Sequence, residues 1–172
     1  MFSSKIIFFD TEFTHLDITK GELLSIGLIK QTGEELYLEL EYEGLEIHPW
    51  VTKKVLPFLT GERVDKEIAR EEIWNFIGKD RKEKPYLMAY VNQFDAVYWY
   101  KFFGDPKEHP AFWIPLDFAS ILFARGYDPE SMRNDSFFKE LGINKESYTQ
   151  HNALEDAKLL REAYSAFIKI NE

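Results

Sequence analysis

The run Lys5-Ile6-Ile7-Phe8-Phe9-Asp10-Thr11-Glu12 constrains this chain more than any other stretch. Two β-branched and two aromatic residues in succession predict a strand buried on both faces. Side chains alternate along a strand, so Asp10 and Glu12 point to the same side, about 7 Å apart. Two like charges closing an apolar run repel each other and lose hydration unless a cation sits between them. A divalent metal is the simplest remedy. The plainer alternative is a strand that stops at Asp10 and leaves both acids solvated.

Composition narrows the remedy. The sequence has no cysteine, which excludes disulfides and thiolate metal sites and leaves oxygen and imidazole ligands, hence hard cations such as Mg²⁺ or Mn²⁺. The formal net charge of −9 argues against a protein that coats long nucleic acid through a basic face. It leaves room for a metal-dependent enzyme that works on a strand end. At 172 residues, 45% hydrophobic and 16% aromatic, residues 1–172 read as one domain around one core. The apolar run near the start is broken by Asp10, and nothing approaches the ~18 residues of a membrane span. A cytoplasmic location without a membrane partner is the expectation.

The order of elements comes from periodicity. Glu22–Lys30 reads as a second strand. Gly33 turns the chain into a third, Glu35–Glu41, whose alternation of Leu36, Leu38 and Leu40 with Tyr37, Glu39 and Glu41 suits a half-exposed edge. Residues 48–59 form an irregular or short helical connection. A helix over Val64–Ile77 turns Ile68, Ile73, Trp74 and Ile77 inward. Pro85–Val91 is a fourth strand, Phe94–Phe103 an aromatic helix and Phe112–Leu116 a fifth strand. Asp117, Asn134 or Asp135, and Asn152 each start a helix, with Gly142 stopping the second. The result is an α/β fold, ribonuclease H-like, with a mixed five-stranded sheet whose first three strands are an antiparallel meander, flanked by helices.

Two further motifs carry acids to element ends. In Ala89-Tyr90-Val91-Asn92-Gln93-Phe94-Asp95 a strand ends, Asn92 can cap the next helix, and Asp95 falls in its first turn, where the helix dipole favours a carboxylate. In Gln150-His151-Asn152-Ala153-Leu154-Glu155-Asp156, Asn152 and Glu155 form a capping-box pattern, so the helix begins there and His151 stays on the entering loop. Ala153, Ala157, Leu160, Tyr164 and Phe167 make the inward stripe, with Asp156 at its edge. A loop position lets the imidazole fold back over that carboxylate.

Taken in this order, Asp10-x-Glu12, Asn92 through Phe94-Asp95, and His151 followed by Asp156 resemble the DEDDh 3′-to-5′ exonucleases, the DnaQ-like branch of the ribonuclease H-like superfamily. Asp10-Thr11-Glu12-Phe13-Thr14-His15-Leu16-Asp17 is similar to a stretch of the oligoribonucleases in which glycine stands where this chain has His15. Leu23–Gly27, Trp50-Val51 and Val55-Leu56-Pro57 are similar to a group of small bacterial single-domain exoribonucleases. The resemblance implies hydrolysis of phosphodiester bonds by two Mg²⁺ or Mn²⁺ ions held by Asp10, Glu12, Asp95 and Asp156. It also implies a histidine general base at His151. The implied substrate is the free 3′ end of single-stranded RNA, or of DNA, the product a nucleoside 5′-monophosphate, and the assembly a homodimer.

Candidate substrate contacts stand next to the first motif: Phe13 or His15 stacking a terminal base and Thr14 meeting its sugar, with Phe13 equally suited to the core. Lys53, Lys54 and Arg125 are phosphate candidates or solvated surface. The aromatic run Tyr98–Phe103 is read as packing before it is read as a stacking platform. Two rival functions share the acids: a ribonuclease H-type endonuclease, which lacks the loop histidine, and a nucleotide-binding module that kept the fold and lost catalysis.

Overall fold

The computed structural model describes residues 5–59, 61–78 and 84–171. Among these residues one mixed sheet of six strands has the order β4-β3-β2-β1-β5-β6. The strands are β1 (Ile6–Phe13), β2 (Leu23–Lys30), β3 (Glu35–Leu40), β4 (Arg63–Val64), β5 (Tyr86–Ala89) and β6 (Leu116–Asp117). β1, β2 and β3 form the expected antiparallel meander, while β5 lies parallel to β1 on its other side. The helices are α1 (Pro49–Lys54), α2 (Lys66–Ile77), α3 (Gln93–Phe103), α4 (Phe118–Ala124), α5 (Asp135–Leu141) and α6 (Ala153–Ile170). No helix among the described residues is long and apolar enough to cross a membrane.

β1 is central because its apolar run feeds both layers. Ile7 and Phe9 pack with Ala69 and Ile73 of α2 and with Tyr98, Trp99, Phe102 and Phe103 of α3. Ile6 and Phe8 face the opposite way, against α4, α5 and α6. Phe8 and Phe9 are both fully buried. Truncating either to alanine would cost about 3–5 kcal/mol, because a close-packed interior cannot collapse onto the void.

Several expectations need correction. The sheet has six strands rather than five: Arg63–Val64 pairs with the end of β3, a two-residue strand too short to show any alternation. β3 is therefore not a free edge at its end, and Glu39, expected to face solvent, is 2% exposed. Its Oε1 accepts from the Tyr37 hydroxyl and the Gly61 N–H. α2 begins only at Lys66, capped by Asp65, which leaves Ile68 47% exposed in the first turn and turns Ala69 inward instead. The Tyr98–Phe103 run is packing, as expected.

Behind α3 the chain buries an imidazole. His109 is 1% exposed, its Nε2 lies 3.2 Å from the Gly104 carbonyl, and the rings of Tyr100, Trp99 and Phe103 surround it. Burial pushes its pKa below the ordinary histidine value.

Candidate active site

β1 outruns its parallel neighbour β5, and its carboxyl end projects from the middle of the sheet. This is a point where strand order reverses, the kind of crevice in which open α/β sheets bind ligands. Asp10 and Glu12 point to the face covered by α6. Each of Asp10, Glu12 and Asp156 offers a carboxylate oxygen, and the three lie within 4.8 Å of one another. An all-oxygen donor set of this size could hold a hard divalent cation.

Asp95 arrives from the other face. Thr11, between the two acids, points toward α3 and donates both its N–H (2.9 Å) and its hydroxyl (2.7 Å) to Asp95 Oδ1. Asp95 therefore stands outside the close trio, yet its charge acts on Asp10. The turn that delivers it differs from the expected cap. Asn92 makes no side-chain cap; its Nδ2 donates to the Leu116 carbonyl at 2.8 Å. Asp117 is the hub, accepting from the Val91 N–H across the turn and from Ala119 and Ser120 at the start of α4. Val91, with φ of +58°, occupies a left-handed conformation that costs a β-branched residue about 1–3 kcal/mol.

α6 supplies the remaining groups. Asn152 Oδ1 accepts from the N–H groups of Leu154 and Glu155, fixing the helix start, while Glu155 pairs with Lys158 instead of closing the capping box. His151 lies outside the helix at φ +62°. It folds back over the carboxylate through its backbone N–H, which donates to Asp156 Oδ2 at 2.9 Å, and its ring Nδ1 stands 3.7 Å from Glu12 Oε1. Opposite Asp10 in register is Gly27, where a Cβ would meet the Ala153 backbone at 2.3 Å. The start of α6 thus rests on bare backbone beside Asp10.

The electrostatics suit a cluster that could bind a cation. Burial, then the charges of Asp95, Asp156 and Glu12, raises the Asp10 carboxyl well above its usual range. Burial takes Asp95 to about 7 against the Thr11 hydrogen bonds, and burial with the Glu12 charge takes Asp156 to about 7. The Glu12 carboxylate raises the pKa of His151. Acids held this close and this dry ionise freely only when a cation joins them.

The expected substrate contacts divide. Thr14 is fully buried and its hydroxyl accepts from the Glu22 N–H, so it ties the loop after β1 and offers no surface to a sugar. Phe13 stacks on Tyr98 with centroids 4.3 Å apart, which places it in the packing. His15 Nδ1 accepts from the Asp17 N–H, and its ring stands edge-on to His48 at 5.1 Å. Lys54 lies near enough to act on His151, whereas Arg125 ends α4 away from the cleft lining. Sequence reasoning missed the part played by α1. His48 caps it and donates its N–H to the Thr14 carbonyl, and Trp50, 49% exposed, stands edge-on to His151 at 5.1 Å. Proline right after His48 was the available signal of a helix start.

No family model and no curated protein matches the sequence. Solved structures do. A full-length 3′-exonuclease aligns with TM-score 0.70 at 11% identity over 99% of this chain and 84% of its own. The nuclease domain of 3′hExo, a DEDDh family member bound to rAMP, aligns at 0.64 and 12% over 96% and 92%. Exonuclease I of E. coli, in complex with a dT13 oligonucleotide, aligns at 0.65 and 16% over 95% of this chain and 40% of its own, so the chain spans about two fifths of that enzyme. The mixed sheet and its flanking helices are the ribonuclease H-like fold shared by these 3′-exonucleases.

Proposed function

We propose that the protein is a metal-dependent 3′-to-5′ exonuclease, with single-stranded RNA as its preferred polymer, that releases nucleoside 5′-monophosphates. The observation that carries this reading is the convergence of Asp10, Glu12 and Asp156 within 4.8 Å, with the His151 ring 3.7 Å from Glu12. The ligands of the solved relatives, a dT13 oligonucleotide on one and rAMP on another, support a nucleic-acid 3′ end as substrate.

Asp10, Glu12 and Asp156 would hold the cations, with Asp95 completing the set from the α3 side. Two bound Mg²⁺ or Mn²⁺ ions would offset phosphate charge and acidify the attacking water. His151, clamped through its own N–H to Asp156, takes the proton from that water. The neighbouring carboxylates raise its basicity, which improves it as an acceptor near neutral pH. Trp50 offers an exposed ring beside this imidazole on which a terminal base can stack, a contact that tolerates any base.

The test is a time course on 5′-labelled single-stranded RNA and matched DNA with Mn²⁺ or with EDTA. The expected result is a ladder shortening from the 3′ end, with metal only, and faster on RNA. Internal cuts in an RNA–DNA hybrid would instead indicate the endonuclease. Nucleotide binding without turnover would indicate the inactive module.

A further inference from the structure

The cleft continues past the carboxylates. A hollow of about 490 Å³ opens from Asp10 and Asp156 and reaches the short turn Ser131–Arg133. Among the described residues the acids on its wall are those two; farther out the charged side chains are Arg133 and Lys145. A second hollow of about 450 Å³ shares Lys145 and Gln150 with the first and adds Lys139 together with the acids Asp135 and Glu146, so the charge asymmetry belongs to the first hollow. In a chain of net charge −9, a first hollow whose acids are the carboxylates Asp10 and Asp156 and whose other charged walls are Arg133 and Lys145 suits a polyanion that enters end first.

The flank of the groove is aromatic. Tyr90 lines the first hollow, and its hydroxyl donates to the Pro129 carbonyl at 2.8 Å, which fixes the ring. Arg133 is paired with Glu130 at 3.3 Å, both side chains about two thirds exposed. Such a surface pair contributes little, so a phosphate displaces it at small cost and gains the planar fork of the guanidinium. Lys145 stands over the Phe138 ring, 5.2 Å from its centroid, where the two hollows meet.

We propose that this groove carries the strand on the 5′ side of the bond being cut, with Arg133 and Lys145 gripping backbone phosphates and Tyr90 stacking a base. A charged wall beside an aromatic platform is how single strands are held without sequence preference. The direction of the strand rests on the exonuclease reading above; the binding itself does not. The substrate class is thereby narrowed to oligonucleotides longer than a dinucleotide, whose single phosphate is the one cut and leaves nothing for Arg133 or Lys145.

Arg133→Glu, Lys145→Glu and the double variant test this in two arms. In Ca²⁺ with turnover suppressed, anisotropy of a labelled RNA dodecamer should show binding weakened about fivefold or more by each change, and a salt slope smaller by about 0.7 per lost contact. In Mn²⁺, the preference in kcat/KM for the dodecamer over a dinucleotide should fall about tenfold or more. Binding and preference equal to the parent protein would overturn the groove, as would equal losses on both substrates. Absence of turnover by the parent protein would overturn the exonuclease reading and leave the binding arm to judge the groove alone.

Discussion

The carboxylates at the end of β1 and the imidazole behind α3 are both buried ionisable groups, and they differ in what burial does to them. Near neutral pH an ordinary histidine is already mostly uncharged, so the cage around His109 only strengthens a state the side chain favours. An ordinary aspartate is charged at that pH, and Asp10, Asp95 and Asp156 are pressed the other way by burial and by each other. Burial alone therefore does not mark a functional group. Burial against the natural charge state, with like charges as neighbours, marks a candidate.

The most severe test of that contrast is Asp10→Asn. It should lower metal-dependent turnover by ~10³-fold or more, since an interaction worth several kcal/mol is lost. In EDTA at alkaline pH the same variant should melt a few degrees higher, because it removes an uncompensated buried charge. A lower melting temperature would break the comparison. Next in size, His151→Ala should slow turnover by ~10²-fold while calorimetry still registers cation binding. An unchanged rate would remove the imidazole from the mechanism. Trp50→Ala should cost about tenfold in kcat/KM, the worth of roughly one stacked base. Equal kinetics would leave the ring as mere cover for His151.

The smallest effect sharpens the contrast by sign. Asp95 and Asp156 have folded pKa values of about 7, above their unfolded values. They stabilise the metal-free chain fully below the unfolded value near 4, and that stability is lost as pH rises through about 7. His109 has a lowered folded pKa, so its contribution is present above the unfolded value near 6.5 and is lost as pH falls through the folded one. The gain in melting temperature on acidifying the metal-free chain from about pH 8 to about pH 5 should thus be larger by a few degrees in His109→Gln than in the parent. Added divalent ion should raise the melting temperature more at the alkaline end. A smaller gain in the variant would show that His109 carries no such cost.

These same residues show what a sequence can and cannot reveal. β1, both of its acids, the start of α6 at Asn152 and the loop position of His151 were legible because each is set by local pattern: an apolar run, a period of two, a cap. The sequence leaves Phe13 open between a base and the core and offers Thr14 to a sugar, because their places depend on Tyr98 and Glu22, which reach them only through tertiary packing. Trp50 lies over the site because Val51 and Val55 of the α1 segment seat against Leu24, where β2 slips register against β1. No periodicity announces that slip. Asp95 was expected from a cap at Asn92, whereas its turn is actually tied down by Asp117, distant in sequence.

Gly27 touches no proposed substrate, yet it sets the clearance on which the proposed chemistry depends. A methyl group there would act as a shim under the first turn of α6. Asp156 lies on that turn and His151 is tied to it from the preceding loop, so the two would lift away from β1 as a unit, with their mutual hydrogen bond intact. The proposed proton acceptor and one wall of the proposed cation cradle are thus gauged by a single missing carbon, on a strand that itself contributes neither.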